Sequence, residues 1–206
     1  MRITEGRLIV GVAVLIVLLA VVRYAAAPDP SQCPPQFKRF THPVVSLCYP
    51  KGWQRQSESR GSALVLFGGA NVLLAVDVLP VSPTDFPPAR PQHEEAIDRY
   101  VLEKGAVSRL RRNGLRLRAR GALETIDTNG WLLRHRVLQG STDGQSTYEA
   151  GKIYQMPVPV TVGLTTALVN DHIVLLTQYV ASGSPEELQR SMDTFRAIRR
   201  TLIFKR

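Results

Sequence analysis

Near its start the chain carries an unbroken apolar run, Leu8 to Val22 (LIVGVAVLIVLLAVV), with Arg2 and Arg7 before it and Arg23 and Tyr24 after it. As a helix it would reach about 22 Å, between the core of a signal peptide and a full membrane span. Basic residues ahead of such a run hold its start in the cytoplasm and send the remainder of the chain outward. Ala25-Ala26-Ala27 is similar to a small-residue cleavage site, but Pro28 comes directly after it and Arg23 interrupts the approach. Arg23 can instead snorkel, and Tyr24 suits the membrane interface. The reading taken is an uncleaved anchor within residues 1–27, and its alternative is a cleaved signal.

Beyond the anchor the pattern shortens to strand-length pieces. Residues 28–40 are rich in Pro and polar residues and read as a linker, with a globular domain over residues 41–206. Val45, Leu47 and Tyr49 alternate with Val44, Ser46 and Cys48 before Pro50-Lys51-Gly52, which predicts a strand running into a turn. Ala63–Phe67 and Val72–Leu79 flank Gly68-Gly69-Ala70-Asn71 and predict a buried hairpin. A Pro-rich loop from Pro80 to Pro91 leads into a helix carrying Ala96, Ile97, Tyr100 and Val101 on one side, with Gly105 as its stop.

A second hairpin is predicted for Leu115–Ile126 and Trp131–Leu138, since Asn129-Gly130 favours a two-residue type I′ turn. Asp143-Gly144 introduces a third hairpin, Thr147–Met156, and Asn170-Asp171 joins Val160–Leu168 to His172–Val180. The last helix is signalled by Ser184 as cap, Pro185 at the first helical position, Glu187 for a capping box and an apolar face of Leu188, Met192 and Phe195. Thr201-Leu202-Ile203-Phe204 ends as a short strand or apolar plug. The expected class is α+β: an antiparallel sheet of about 7–9 strands flanked by helices, preceded by one transmembrane helix.

This order of elements, together with Tyr49-Pro50-Lys51-Gly52-Trp53, resembles the PsbP-like family, which includes exported proteins of the DcrB type. The resemblance runs over about Thr41 to Phe204 and implies an antiparallel sheet between helices. It implies no catalysis, and it points to assembly factors, accessory subunits or binding modules.

Charge narrows the partners. The 206 residues hold 26 Lys and Arg against 17 Asp and Glu, a net charge of +9. Such a balance favours anionic partners as well as plain solubility. Its sharpest concentration is Arg109, Arg111, Arg112, Arg116, Arg118 and Arg120, the last three alternating with Leu115, Leu117 and Ala119 and so sharing one strand face. Two readings stay open: a surface for an acidic protein partner or anionic lipid headgroups, or charges that guard an edge strand against aberrant pairing. Aromatic interleaving is absent, and an exported location speaks against nucleic acid.

Cys33 and Cys48 are the two cysteines, and an even pair in an oxidising compartment is expected to form a disulfide, worth about 3 kcal/mol in the chain-entropy picture. Catalytic patterns are missing: His93-Glu94-Glu95 has no second His four residues on, and there is no Gly-x-Ser-x-Gly elbow, P-loop or dinucleotide fingerprint. Histidines at 42, 93, 135 and 172 show no ligand spacing, so neither metal nor cofactor is expected. The Asn129-Gly130 turn places Glu124 opposite His135 on the face of Ile126, Trp131, Leu133 and Val137, which reads as a satisfied polar pair rather than acid/base machinery. The functional expectation is a non-enzymatic accessory or assembly subunit, single-pass in the inner membrane with a periplasmic domain. Its alternative is a periplasmic binding module for a soluble ligand or toxin.

Overall fold

The computed structural model describes residues 32–56, 62–69, 71–80, 107–108, 110, 115–142, 145–149, 152–156, 158–182 and 184–205. Leu8–Val22, Arg23, Tyr24, Arg111, Arg112 and the helix expected at Ala96–Val101 lie outside them. Among the described residues no helix is long and apolar enough to cross a membrane. Residues Cys33–Arg206 form one compact unit.

Its frame is a seven-stranded, wholly antiparallel sheet. The strands are β3 (Gln54–Arg55), β4 (Leu64–Phe67), β5 (Val72–Pro80), β6 (Leu115–Thr128), β7 (Trp131–Thr142), β10 (Pro159–Val169) and β11 (His172–Ala181). Their spatial order is β3-β4-β5-β11-β10-β7-β6. A second sheet, β1 (Phe37–Thr41), β2 (Val45–Pro50) and β12 (Ile203–Phe204), is ordered β1-β2-β12. A separate hairpin pairs β8 (Gln145–Glu149) with β9 (Lys152–Met156). The single sheet expected from the pattern is thus three sheets, and the third hairpin, expected over Thr147–Met156, forms over Gln145–Met156 as a sheet of its own. β1 also begins inside the stretch read as linker, because its backbone pairs with β2 from Phe37↔Pro50 to Thr41↔Ser46.

The turns behave as their residues dictate. Asn129 (φ 54°) and Gly130 (φ 77°) both take the left-handed conformation that a type I′ hairpin needs. Asn129 Nδ2 also donates to the Leu202 carbonyl at 2.8 Å, tying the β6–β7 turn to the C-terminal segment.

Both sheet faces carry a core. One face packs Leu66, Leu74, Val76, Leu133, Ala167, Val174 and Leu176 against Phe40, Leu47 and Phe204 of the smaller sheet and against the helix α1 (Pro185–Arg200). The other packs Leu115, Leu117, Leu138, Val162, Leu164, Ile173 and Leu175 with Val107 and Leu110. Val107, Ser108 and Leu110 are helical, beyond the stop expected at Gly105.

Helix α1 forms where its caps predict. The Ser184 hydroxyl accepts from Glu187 N, with Glu186 and Glu187 in the first turn and Arg199 and Arg200 in the last, favourable ends for the helix dipole. The capping box differs from expectation in one respect. Ser184 N donates to the Ser182 hydroxyl, which in turn donates to Glu187 at 2.6 Å, so Ser182 stands between the two expected partners. Phe195 and Ile198 are buried, and Phe195 meets the edge of Trp53 at 5.8 Å between centroids. Trp53 lies so close over Gly68 that a Cβ there would fall 2.5 Å from its ring. Trp53 therefore packs between the helix and the Gly68 turn after β4.

Candidate functional site

Strand β6 lies at one end of the seven-stranded sheet and is 14 residues long. Its pairing with β7 is regular from Leu115↔Thr142 to Arg120↔Val137, breaks, and resumes at Glu124↔His135. Gly121, at φ 83°, opens the break, where three residues of β6 face the single Arg136 of β7. Two extra residues preserve parity, so Arg116, Arg118, Arg120, Glu124, Ile126 and Thr128 all lie on one face.

Within the first half, Leu115 and Leu117 are buried on the opposite face while Arg116, Arg118 and Arg120 are exposed. Alternate residues of a strand are about 6.6 Å apart, so the three guanidinium groups form a row. The residues opposite them on β7 are Ser141, Gln139 and Val137, none of them charged. Arg120 Nη1 donates to Gln139 Oε1 at 2.6 Å, a neutral acceptor that orients the guanidinium and leaves its charge. These three are the described part of the stripe expected from the sequence, on the end strand among the described residues, while Arg109, Arg111 and Arg112 lie outside them.

The second half carries a buried polar group. His135 is 5% exposed, and its Nδ1 lies 2.9 Å from the Thr165 hydroxyl. Burial, followed by the Arg199 charge, pulls its pKa down to about 4, against the opposing influence of Glu124 and a hydrogen bond to the Leu164 backbone. His135 is neutral near pH 7. Arg199 at the end of α1 lies within electrostatic reach of Glu124, and burial lowers its own pKa despite that carboxylate. The Glu124–His135 register expected from the turn is therefore present, with Arg199 as a third member that periodicity did not reveal.

Gly163 explains how the ring fits. A Cβ there would fall 2.6 Å from Gln178 Oε1 and 3.3 Å from His135 Cε1. Gln178 is 1% exposed, and its Nε2 finds no hydrogen-bond partner among the described residues. A glycine in the interior of a strand was the available signal for this close approach.

A Thr hydroxyl beside a neutral imidazole is the chemistry of an activated nucleophile. Here Thr165 is wholly buried, so a substrate carbonyl does not reach its oxygen. Among the described residues no group of three His, Cys, Asp or Glu converges as metal ligands. His42 and His172 do come within electrostatic range, where burial, His172 and Lys205 lower the His42 pKa. At the far edge of the sheet an open cavity of about 450 Å³ is lined by Gly52, Gln54, Phe67 and Gly69, none of them titratable. Cys33 and Cys48 form the expected disulfide, with Cα atoms 5.6 Å apart.

No family model matches the chain, and no curated protein does. Among solved structures it is similar to a protein of Bacteroides thetaiotaomicron VPI-5482, at 12% identity and a TM-score of 0.46, over 83% of this chain and 49% of that one. The chain thus spans about half the length of that protein. It is also similar to the Ran-binding protein Mog1p of Saccharomyces cerevisiae, at 14% identity and a TM-score of 0.46, over 81% of this chain and 94% of that one. A third is LpqN, involved in cell envelope biogenesis of Mycobacterium tuberculosis, at 14% identity and a TM-score of 0.46, over 82% and 92%. These likenesses concern fold alone, and none of the three carries the narrower PsbP-like or DcrB-like assignment.

Proposed function

We propose that the folded unit is a non-enzymatic binding or accessory module that holds an anionic partner on the first half of β6. The observation that carries this reading is the exposed row of Arg116, Arg118 and Arg120, on an end strand and opposite residues without charge. Exposed guanidinium groups along one strand face attract carboxylates and raise the rate of encounter with them. In this reading Leu8–Val22 anchors the chain in the inner membrane and residues 33–206 face the periplasm. The Cys33–Cys48 disulfide supports that side of the membrane, since such bonds persist in oxidising compartments. The partner is a protein of an envelope or inner-membrane complex.

Purification of the full chain in mild detergent, with mass spectrometry of its N-terminus and of co-purifying proteins, tests the reading. An intact Leu8–Val22 segment with membrane proteins in fixed proportion is the expected result. Those proteins should be lost from the Arg118→Glu/Arg120→Glu variant. A mature N-terminus near Pro28 with one soluble partner would replace the accessory subunit by a free binding module. Full capture by the double variant would reduce the arginines to guards of the edge.

A further inference from the structure

We infer that the partner docks as an extended acidic segment, with carboxylates at alternate positions, which lengthens the seven-stranded sheet by pairing with Leu115–Arg120. The inference rests on the anionic-partner reading and adds the chemistry of the segment and the geometry of its docking.

The backbone supplies half of the argument. An antiparallel strand turns the N–H and C=O of every second residue away from its neighbour, and among the described residues β6 pairs with β7 alone. The regular stretch ends at Gly121, so an added strand has Leu115–Arg120 to pair with, about 20 Å of edge. On the opposite face Leu115 and Leu117 already pack with Val107 and Leu110, which leaves selection by side chain to the arginine face.

Charge supplies the other half, because it chooses the occupant. A second copy of this chain joining through the same edge would set arginines against arginines, and directly opposed like charges destabilise a sheet. A segment with Glu or Asp at every second position gains where a second copy loses, since its carboxylates repeat at the spacing of the arginines. Gln139 and Val137, opposite Arg118 and Arg120, carry no charge of their own to set against those carboxylates. Edge arginines therefore exclude self-association while admitting an acidic strand, combining the two readings that the sequence left open.

The test uses the full chain in detergent and a fluorescent eight-residue Thr-Glu repeat peptide as probe. Two further peptides carry N-methyl groups on alternate amides, one set for each register, which remove backbone pairing and keep every charge. Expected are saturable binding of the parent peptide, loss of binding in one methylated version, and a drop of about tenfold or more in Arg118→Glu/Arg120→Glu. That variant should bind a Thr-Lys repeat peptide instead, a rescue that a misfolded variant cannot show. Equal binding of all three acidic peptides would overturn strand addition while leaving an anionic surface. Binding of phosphatidylglycerol micelles in place of the peptide would overturn it in favour of a lipid. No arginine-dependent binding of any anion would overturn both this inference and the reading beneath it.

Discussion

The two halves of β6 pair with the same neighbour and share one pattern of parity, yet they bury opposite faces. From Leu115 to Arg120 the buried residues are Leu115 and Leu117, and the arginine face is open. From Glu124 to Thr128 the face that bore the arginines turns inward, with Thr128 buried and Ile126 packed against the first core. Leu132, across the turn on the other face, is 60% exposed. The reason is coverage. The C-terminal segment is tied to the β6–β7 turn through Asn129 and Leu202, while Val107 and Leu110 cover the first half from the other side. Alternation assigns residues to two faces, and what packs on each face decides which one is the inside.

The strongest way to break this comparison is to part the first half of the hairpin. A Cβ on Gly140 would collide with the Arg116 carbonyl oxygen and fall 2.7 Å from its carbon, both backbone atoms, so β6 would have to shift away from β7 there. Gly140→Ala is expected to cost about 3 kcal/mol or more, read from urea unfolding. Retained stability would mean that β6 and β7 can separate there without loss.

The second half answers to acid. His135 has its pKa lowered from 6.5 to about 4 by burial and by Arg199, so between those values the unfolded chain binds a proton that the folded chain refuses. Its contribution to stability is complete above about pH 6.5 and is lost as pH falls toward 4, by up to about 3 kcal/mol. His135→Gln should remove that part of the slope in unfolding measured across the window. An unchanged slope would place the titration elsewhere.

Asn129→Ala removes one side-chain hydrogen bond and forces a Cβ-bearing residue without a polar group into φ 54°. A loss of about 1–2 kcal/mol is expected by thermal unfolding, with Asn129→Gly recovering the backbone share. Equal losses in both variants would assign the whole effect to the Leu202 contact.

Smallest in stability is Arg118→Glu/Arg120→Glu, expected within about 0.5 kcal/mol of the parent because both side chains are exposed. The same change should abolish partner capture, and capture by the parent should weaken as salt rises from about 0.05 to about 0.5 M. A large loss of stability would instead make the stripe part of the fold.

Much of this body was legible along the chain, because local chemistry wrote it. Asn129-Gly130 determined a left-handed turn, and the turn determined that Glu124 faces His135. Ser184-Pro185 began the last helix, two cysteines made one disulfide, and alternation put Arg116, Arg118 and Arg120 on one face. Apart from the disulfide, whose cysteines stand 15 residues apart and are the chain's one possible pair, each of these depends on neighbours within a few residues, where backbone sterics and hydrogen-bonding groups leave few choices.

Tertiary structure decided what depends on residues far apart. It split the strands into three sheets, drew β1 out of the apparent linker, and brought Arg199 to Glu124 and His135. It also put β6 at the end of the seven-stranded sheet and covered opposite faces of its two halves. None of this is periodic, since a strand's alternation is the same at an edge or in the centre, and only the packing of distant elements determines which side loses its water.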